Sequence, residues 1–125
     1  MSLFNKFFGS DSAQTSGSSS FWKPLESEEA LNDALKKSSI KKVVLFKHST
    51  RCHISKMVLR NFEKEVNNSE KDVEYYLLDL ISYRSLSNKI AQDFAVQHQS
   101  PQLLVLENGK VIKDTSHQAI SVSLI

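Results

Sequence analysis

Cys52 is the only cysteine in the chain. It sits in the stretch Val43 to Met57, VVLFKHSTRCHISKM, which opens on an apolar run and turns polar at Lys47, His48, Ser49 and Thr50. β-Branched and aromatic residues at that density predict a buried strand. After Cys52, Ile54, Met57, Val58 and Phe62 recur at helical spacing. The thiol therefore falls where a helix starts. Backbone N–H groups there have no intrahelical acceptor and carry partial positive charge, which favours a thiolate, the nucleophilic form of cysteine. Arg51 and Lys47 add positive charge nearby. The opposing reading is a small buried hydrophobe, the usual state of a single cysteine. A metal site from His48, Cys52, His53 and His98 lacks the paired ligand spacing that structural zinc uses.

The elements that must hold this thiol follow from the rest of the chain. The 125 residues leave room for one domain with a modest core. Hydrophobic content is 40%, charged content 24% and formal net charge +2. A charge that small, without a basic tract, gives no nucleic-acid footprint. A lone thiol suits a reducing, cytoplasmic setting, and no apolar run approaches the roughly 20 residues of a membrane span. The leader MSLFNKFFG is short and apolar but has no signal-peptide form. Residues 9–20 are Ser-rich and read as a flexible linker, so residues 1–20 form a leader and the folded domain is expected over 21–125.

Ser27 precedes Glu28, Glu29, Ala30, Leu31, Ala34, Leu35, Lys36 and Lys37. Acidic residues lead and lysines close, as the helix dipole favours, and Ser38-Ser39 ends the helix. Trp22 and Leu25 are expected to pack on the core ahead of it. A strand over Lys42–Phe46 and a helix from about Cys52 to Val66 come next. Asp72 to Leu80 reads as a second strand, parallel to the first because a helix lies between them. A helix with Leu86, Ile90, Ala91 and Phe94 inward follows. Asp79 could lie near the site or cap the turn that follows; the cap is favoured. Leu103–Leu106 and Val111–Asp114 flank Asn108-Gly109, a tight-hairpin signal. The tail from Ala119 could add a turn or two of helix. The order α-β-α-β-α-β-β-α makes an α/β fold with a mixed sheet of about four strands and helices on both faces.

Three segments together resemble a known family: FKHSTRCHIS at 46–55, LDLISYRSLSNKIA at 78–91 and HQSPQLLVLENGKVI at 98–112. They are similar to the YtxJ-type monothiol bacilliredoxins, single-domain general-stress proteins of thioredoxin fold. The resemblance implies thiol–disulfide exchange through Cys52, with bacillithiol as cosubstrate and no resident cofactor or metal. Its partners would be a low-molecular-weight thiol and S-thiolated client proteins, and the chain would act as a monomer. Ser55 stands where dithiol relatives keep a resolving cysteine, so an outside thiol must resolve any mixed disulfide. Ser55, Thr50 and His53 would stabilise the thiolate. Arg51 and Lys47 would suit the malate group of bacillithiol. Ser100 and Pro101 would form the docking edge, with a cis bond between them. Phe46 replaces the buried carboxylate of thioredoxins, Arg51 their Trp, and His53-Ile54 their Gly-Pro, which argues against a general disulfide reductase. The competing readings are a non-catalytic thioredoxin-fold interaction module and a glutaredoxin-like iron–sulfur carrier, the latter without its C-G-F-S.

Overall fold

A computed structural model describes residues 21–125. The expectations for residues 1–20, the leader and the linker, lie outside the described residues. The elements are β1 (Trp22–Pro24), α1 (Glu28–Lys37), β2 (Lys42–His48), α2 (His53–Asn67), β3 (Val73–Asp79), α3 (Arg84–Asp93), β4 (Gln102–Glu107) and β5 (Lys110–Ser116). Two 3-10 turns, His117–Ala119 and Val122–Leu124, follow β5 where a turn or two of helix is expected.

The sheet order is β1-β3-β2-β4-β5. β1, β3 and β2 run parallel, whereas β4 is antiparallel to β2 and β5 to β4. The sheet thus has five strands rather than about four. The added one is β1, whose three residues are too few to leave a periodic signal. Its Trp22 Nε1 donates to Glu63 on α2 at 2.7 Å.

Alternation along β2 divides the core. Val43 and Leu45 face α1 and α3, joining Leu31, Ala34, Leu86, Ile90, Leu104 and Leu106. Val44 and Phe46 face α2, joining Val58, Phe62, Val66, Leu103, Val105 and the tail residues Ile120, Val122 and Ile125. Phe62 is buried among the rings of Trp22, Phe46 and Tyr75. Burying a side chain of that size contributes roughly 1.5–3 kcal/mol.

Local signals set the helix ends. Ser27 Oγ accepts from the Ala30 N–H at 3.0 Å, and the acidic and basic residues of α1 lie at its first and last turns. Ser38 closes α1 and reaches further: its Oγ accepts from Gly109 N–H and its carbonyl from Asn108 N–H, both at 2.8 Å. That ties the β4–β5 hairpin to α1. Asn108 and Gly109 take φ values of 53° and 76°, the left-handed pair that the Asn-Gly turn predicts. α3 ends at Asp93, with Phe94 as its C-cap, and Ala95 turns to a φ of 53° just beyond.

Candidate functional site

The site lies at the carboxyl end of β2, where the chain leaves the sheet and re-enters it as α2. Cys52 is the N-cap residue of α2, extended at φ −102° and ψ 120°, and its side chain makes no capping hydrogen bond. It is neither fully buried nor fully exposed. An N-cap side chain normally accepts from the N–H groups of the first turn. Here that place is taken by a sulfur, beside donors that lack an intrahelical acceptor. The Cys52 N–H donates to the Ser49 carbonyl at 3.2 Å, which closes the loop 49–52 into a tight turn.

The expected residues fall into three groups. Thr50, Arg51 and His53 are exposed around the thiol. Arg51 and His53 therefore present their charge and polarity to anything that approaches the sulfur.

Ser100 and Pro101 form the second group. Their peptide bond is cis. Pro101 precedes Gln102, the residue paired with Lys47 across β2 and β4, so it comes alongside His48 at the same end of β2. The Pro101 carbonyl accepts from His117 N–H at 3.0 Å. Ser100, by contrast, has no backbone–backbone hydrogen bond among the described residues, and its buried Oγ has no partner there. Residue 100 therefore spends none of its main-chain groups on backbone pairing among the described residues.

Ser55 and Lys47 form the third group; both are buried, and Lys47 departs from expectation. Ser55 is fully buried at the head of the stripe Ser55, Val58, Phe62, Val66. Its Oγ lies 2.8 Å from His48 Nδ1 and accepts from the Ser49 N–H at 3.1 Å. The hydroxyl thus clamps the end of β2 to the first turn of α2, beneath the loop that carries the thiol.

Lys47 does not reach the ligand side. It follows the parity of Val43 and Leu45, away from α2, and is only 1% exposed. Its Nζ donates to the Ser87 carbonyl at 3.0 Å and lies 3.3 Å from His98 Nδ1. Burial without a carboxylate lowers its pKa from 10.5 to about 8. The expectation that Lys47 offers a charge to bound thiol is corrected: strand alternation turned it inward.

The sequence offers His48 and His98 only as metal ligands. His48 is buried on the α2 side, and burial lowers its pKa, with Asp79 opposing and Lys56 adding. Burial also lowers the pKa of His98, reinforced by Lys47 and Arg84. The signal that finds His48 is the continuation of β2's alternation through Lys47; nothing comparable marks His98. Asp79 acts as a turn cap, its carboxylate accepting from Ile81 N–H and Ser82 Oγ, each at 3.0 Å.

Comparison with known proteins gives the family and the fold. Residues 23–125 match the family described as monothiol bacilliredoxin BrxC. A solved protein with a thioredoxin fold is 28% identical at a TM-score of 0.75, covering 87% of this chain and 94% of its own. Mitochondrial thioredoxin 3 from Saccharomyces cerevisiae is 20% identical at a TM-score of 0.65, covering 86% of this chain and 92% of its own. The thioredoxin of Malassezia sympodialis is 23% identical at a TM-score of 0.61, covering 81% of this chain and 82% of its own. Among the described residues no helix is long and apolar enough to cross a membrane. The fold is that of thioredoxin, the chemistry of the family is thiol–disulfide exchange, and the chain belongs to the monothiol bacilliredoxins.

Proposed function

We propose that this chain removes bacillithiol from mixed disulfides on client proteins, with Cys52 as nucleophile. The observation that carries the reading is a lone, part-exposed thiol at the uncapped N-terminus of α2, in a chain whose sequence holds no second cysteine. The Cys52 thiolate attacks the bacillithiol-side sulfur of the mixed disulfide. A Cys52–bacillithiol disulfide forms and the client leaves as its thiolate. A second bacillithiol thiolate then attacks the bacillithiol sulfur of that adduct. Oxidised bacillithiol leaves, and Cys52 returns to its starting state. No internal thiol competes for the adduct, so the outside thiol sets the rate of the second step.

In this reading the neighbours divide the remaining work. The first-turn N–H groups stabilise the thiolate, with Thr50 and His53 at the rim. Arg51 attracts the malate carboxylates of bacillithiol. The free main chain of Ser100, before Pro101, takes up the client segment as an added strand. The work is that of a monomer in the cytoplasm, in stress conditions that leave clients thiolated, with residues 21–125 as the working domain behind the leader.

The test is Cys52→Ala, assayed on a bacillithiolated client with free bacillithiol present. Release of the client thiol is expected to fall to the uncatalysed rate, with an unchanged circular dichroism spectrum. Activity retained in that variant contradicts the assignment.

A further inference from the structure

We propose that His48 is a positioning residue for the thiol chemistry of Cys52, acting through Ser55. The proposal deepens the reading of Cys52 as nucleophile and rests on it.

The argument is one of hydrogen-bond capacity. A serine hydroxyl has two acceptor lone pairs and one proton. Ser55 Oγ already accepts from the Ser49 N–H at 3.1 Å. His48 Nδ1 lies 2.8 Å away on the other side. The imidazole has two ways to fill that contact. If Nδ1 is bare, it takes the Ser55 proton into the interior and the hydroxyl has no further donor. If Nδ1 carries the ring proton, His48 fills the second lone pair, and the Ser55 O–H must find its acceptor elsewhere. Ser55 is 0% exposed, so that acceptor is not bulk water. Cys52 is the extended N-cap and Ser55 the third residue of the helix, the relation in which a cap side chain meets the first turn. The Cys52 side chain makes no capping hydrogen bond in the structure, so a rotation about its Cα–Cβ bond is what would carry the sulfur to the Ser55 hydroxyl. A hydrogen bond to the charged form favours that form. We assign the Nδ1–H tautomer to His48, with the Ser55 proton directed at the thiolate.

His48 is well placed to hold one orientation. It is 8% exposed, and its carbonyl accepts from the Leu80 N–H at 3.0 Å, so the backbone is anchored to the chain leaving β3. The charged or titratable groups acting on its ring are Asp79, beside it on β3, and Lys56 on α2. Neither hydrogen-bonds to the ring, so the tautomer is decided at Ser55.

Two measurements test this. The first is the ring 15N signature of His48 in the full chain at neutral pH. A protonated Nδ1 with a bare Nε2 is expected; the reverse tautomer overturns the proposal. The second is the alkylation rate of Cys52 by iodoacetamide in His48→Leu, Ser55→Ala and the double variant, each checked for folding by circular dichroism. Each single change is expected to slow the reaction about tenfold, the effect of one hydrogen bond of ordinary net strength. The double variant should be no slower than the slower single, because both break one relay. His48→Asn, which puts an amide donor near the Nδ1 position, should recover the rate to within about threefold of the parent. Effects that multiply, a His48→Leu rate equal to the parent's, or no recovery in His48→Asn overturn it. If His48→Leu does not fold, His48→Asn paired with Ser55→Ala completes the cycle. Alkylation needs no bacillithiol, so a parent protein that alkylates as expected yet exchanges nothing refutes the proposed substrate and not the relay.

Discussion

Lys47 and His48 are consecutive residues at the end of β2, yet they serve opposite sides of the sheet. His48 turns to α2 and meets Ser55 beneath the thiol. Lys47 turns to α3 and meets the Ser87 carbonyl and His98, beneath the segment leading to cis-Pro101. Both are buried titratable groups without a hydrogen-bonded carboxylate, so for each the charged form is the costly one. The difference lies in which state suits the site. A neutral imidazole can hand on a proton and fix the hydroxyl next to it. A buried ammonium gives three donors and little else, which suits a strut more than a relay. Polar groups on the sheet's functional edge therefore do not all belong to the reaction, even when they are adjacent in sequence.

The largest expected effect that sharpens this contrast is on stability against pH. The folded-state pKa of Lys47 lies near 8 and the unfolded value at 10.5. Between those values the unfolded chain binds the proton first, so stability should rise as pH climbs from 8 to 10.5. At pH 7 the full penalty applies, about 3 kcal/mol for a shift of that size. Lys47→Met should flatten this alkaline arm. It should also stabilise the protein at neutral pH by about 2 kcal/mol, once the Ser87 carbonyl's lost partner is counted. Urea unfolding across pH measures both. The histidines act at the other end. With their pKa values lowered by burial, stability should decline as pH falls below 6.5, where the unfolded chain charges them first. His48→Asn should remove part of that acid arm and none of the alkaline one. An alkaline arm that survives Lys47→Met breaks the comparison.

The smallest effect concerns the rim. Arg51 is exposed, so its attraction for an anionic thiol is screened. Arg51→Ala should slow attack on oxidised bacillithiol about threefold at low salt, and less as salt rises. Its rate with an uncharged disulfide should not move. Equal loss on both disulfides would give Arg51 a structural role instead.

Most of the fold was legible because its elements carry their own signals. The charge order in Glu28–Lys37, the apolar run at Val43–Phe46 and the Asn108-Gly109 turn each act locally. β1 was not, since Trp22–Pro24 becomes a strand only by pairing with Tyr75–Leu77. At the site, Cys52's position and the cis bond before Pro101 were anticipated, the first from helix spacing, the second from the family resemblance. Lys47 was misplaced because its type suggests solvent while its parity puts it inside, and the burial of Ser55 follows from its parity too. Lys47 continues Val43 and Leu45, and Ser55 continues Val58, Phe62 and Val66. In both cases periodicity outweighs polarity, and the buried polar atoms find partners, Lys47 on elements distant in sequence and Ser55 at the end of the preceding strand.

The central claim reduces to the fate of one sulfur. The full chain, incubated with oxidised bacillithiol and weighed intact, should gain the mass of a single bacillithiol. That mass should map to the peptide holding Cys52 and disappear on adding free bacillithiol. A folded protein that gains no adduct, or one whose adduct free bacillithiol does not remove, would contradict monothiol exchange at Cys52.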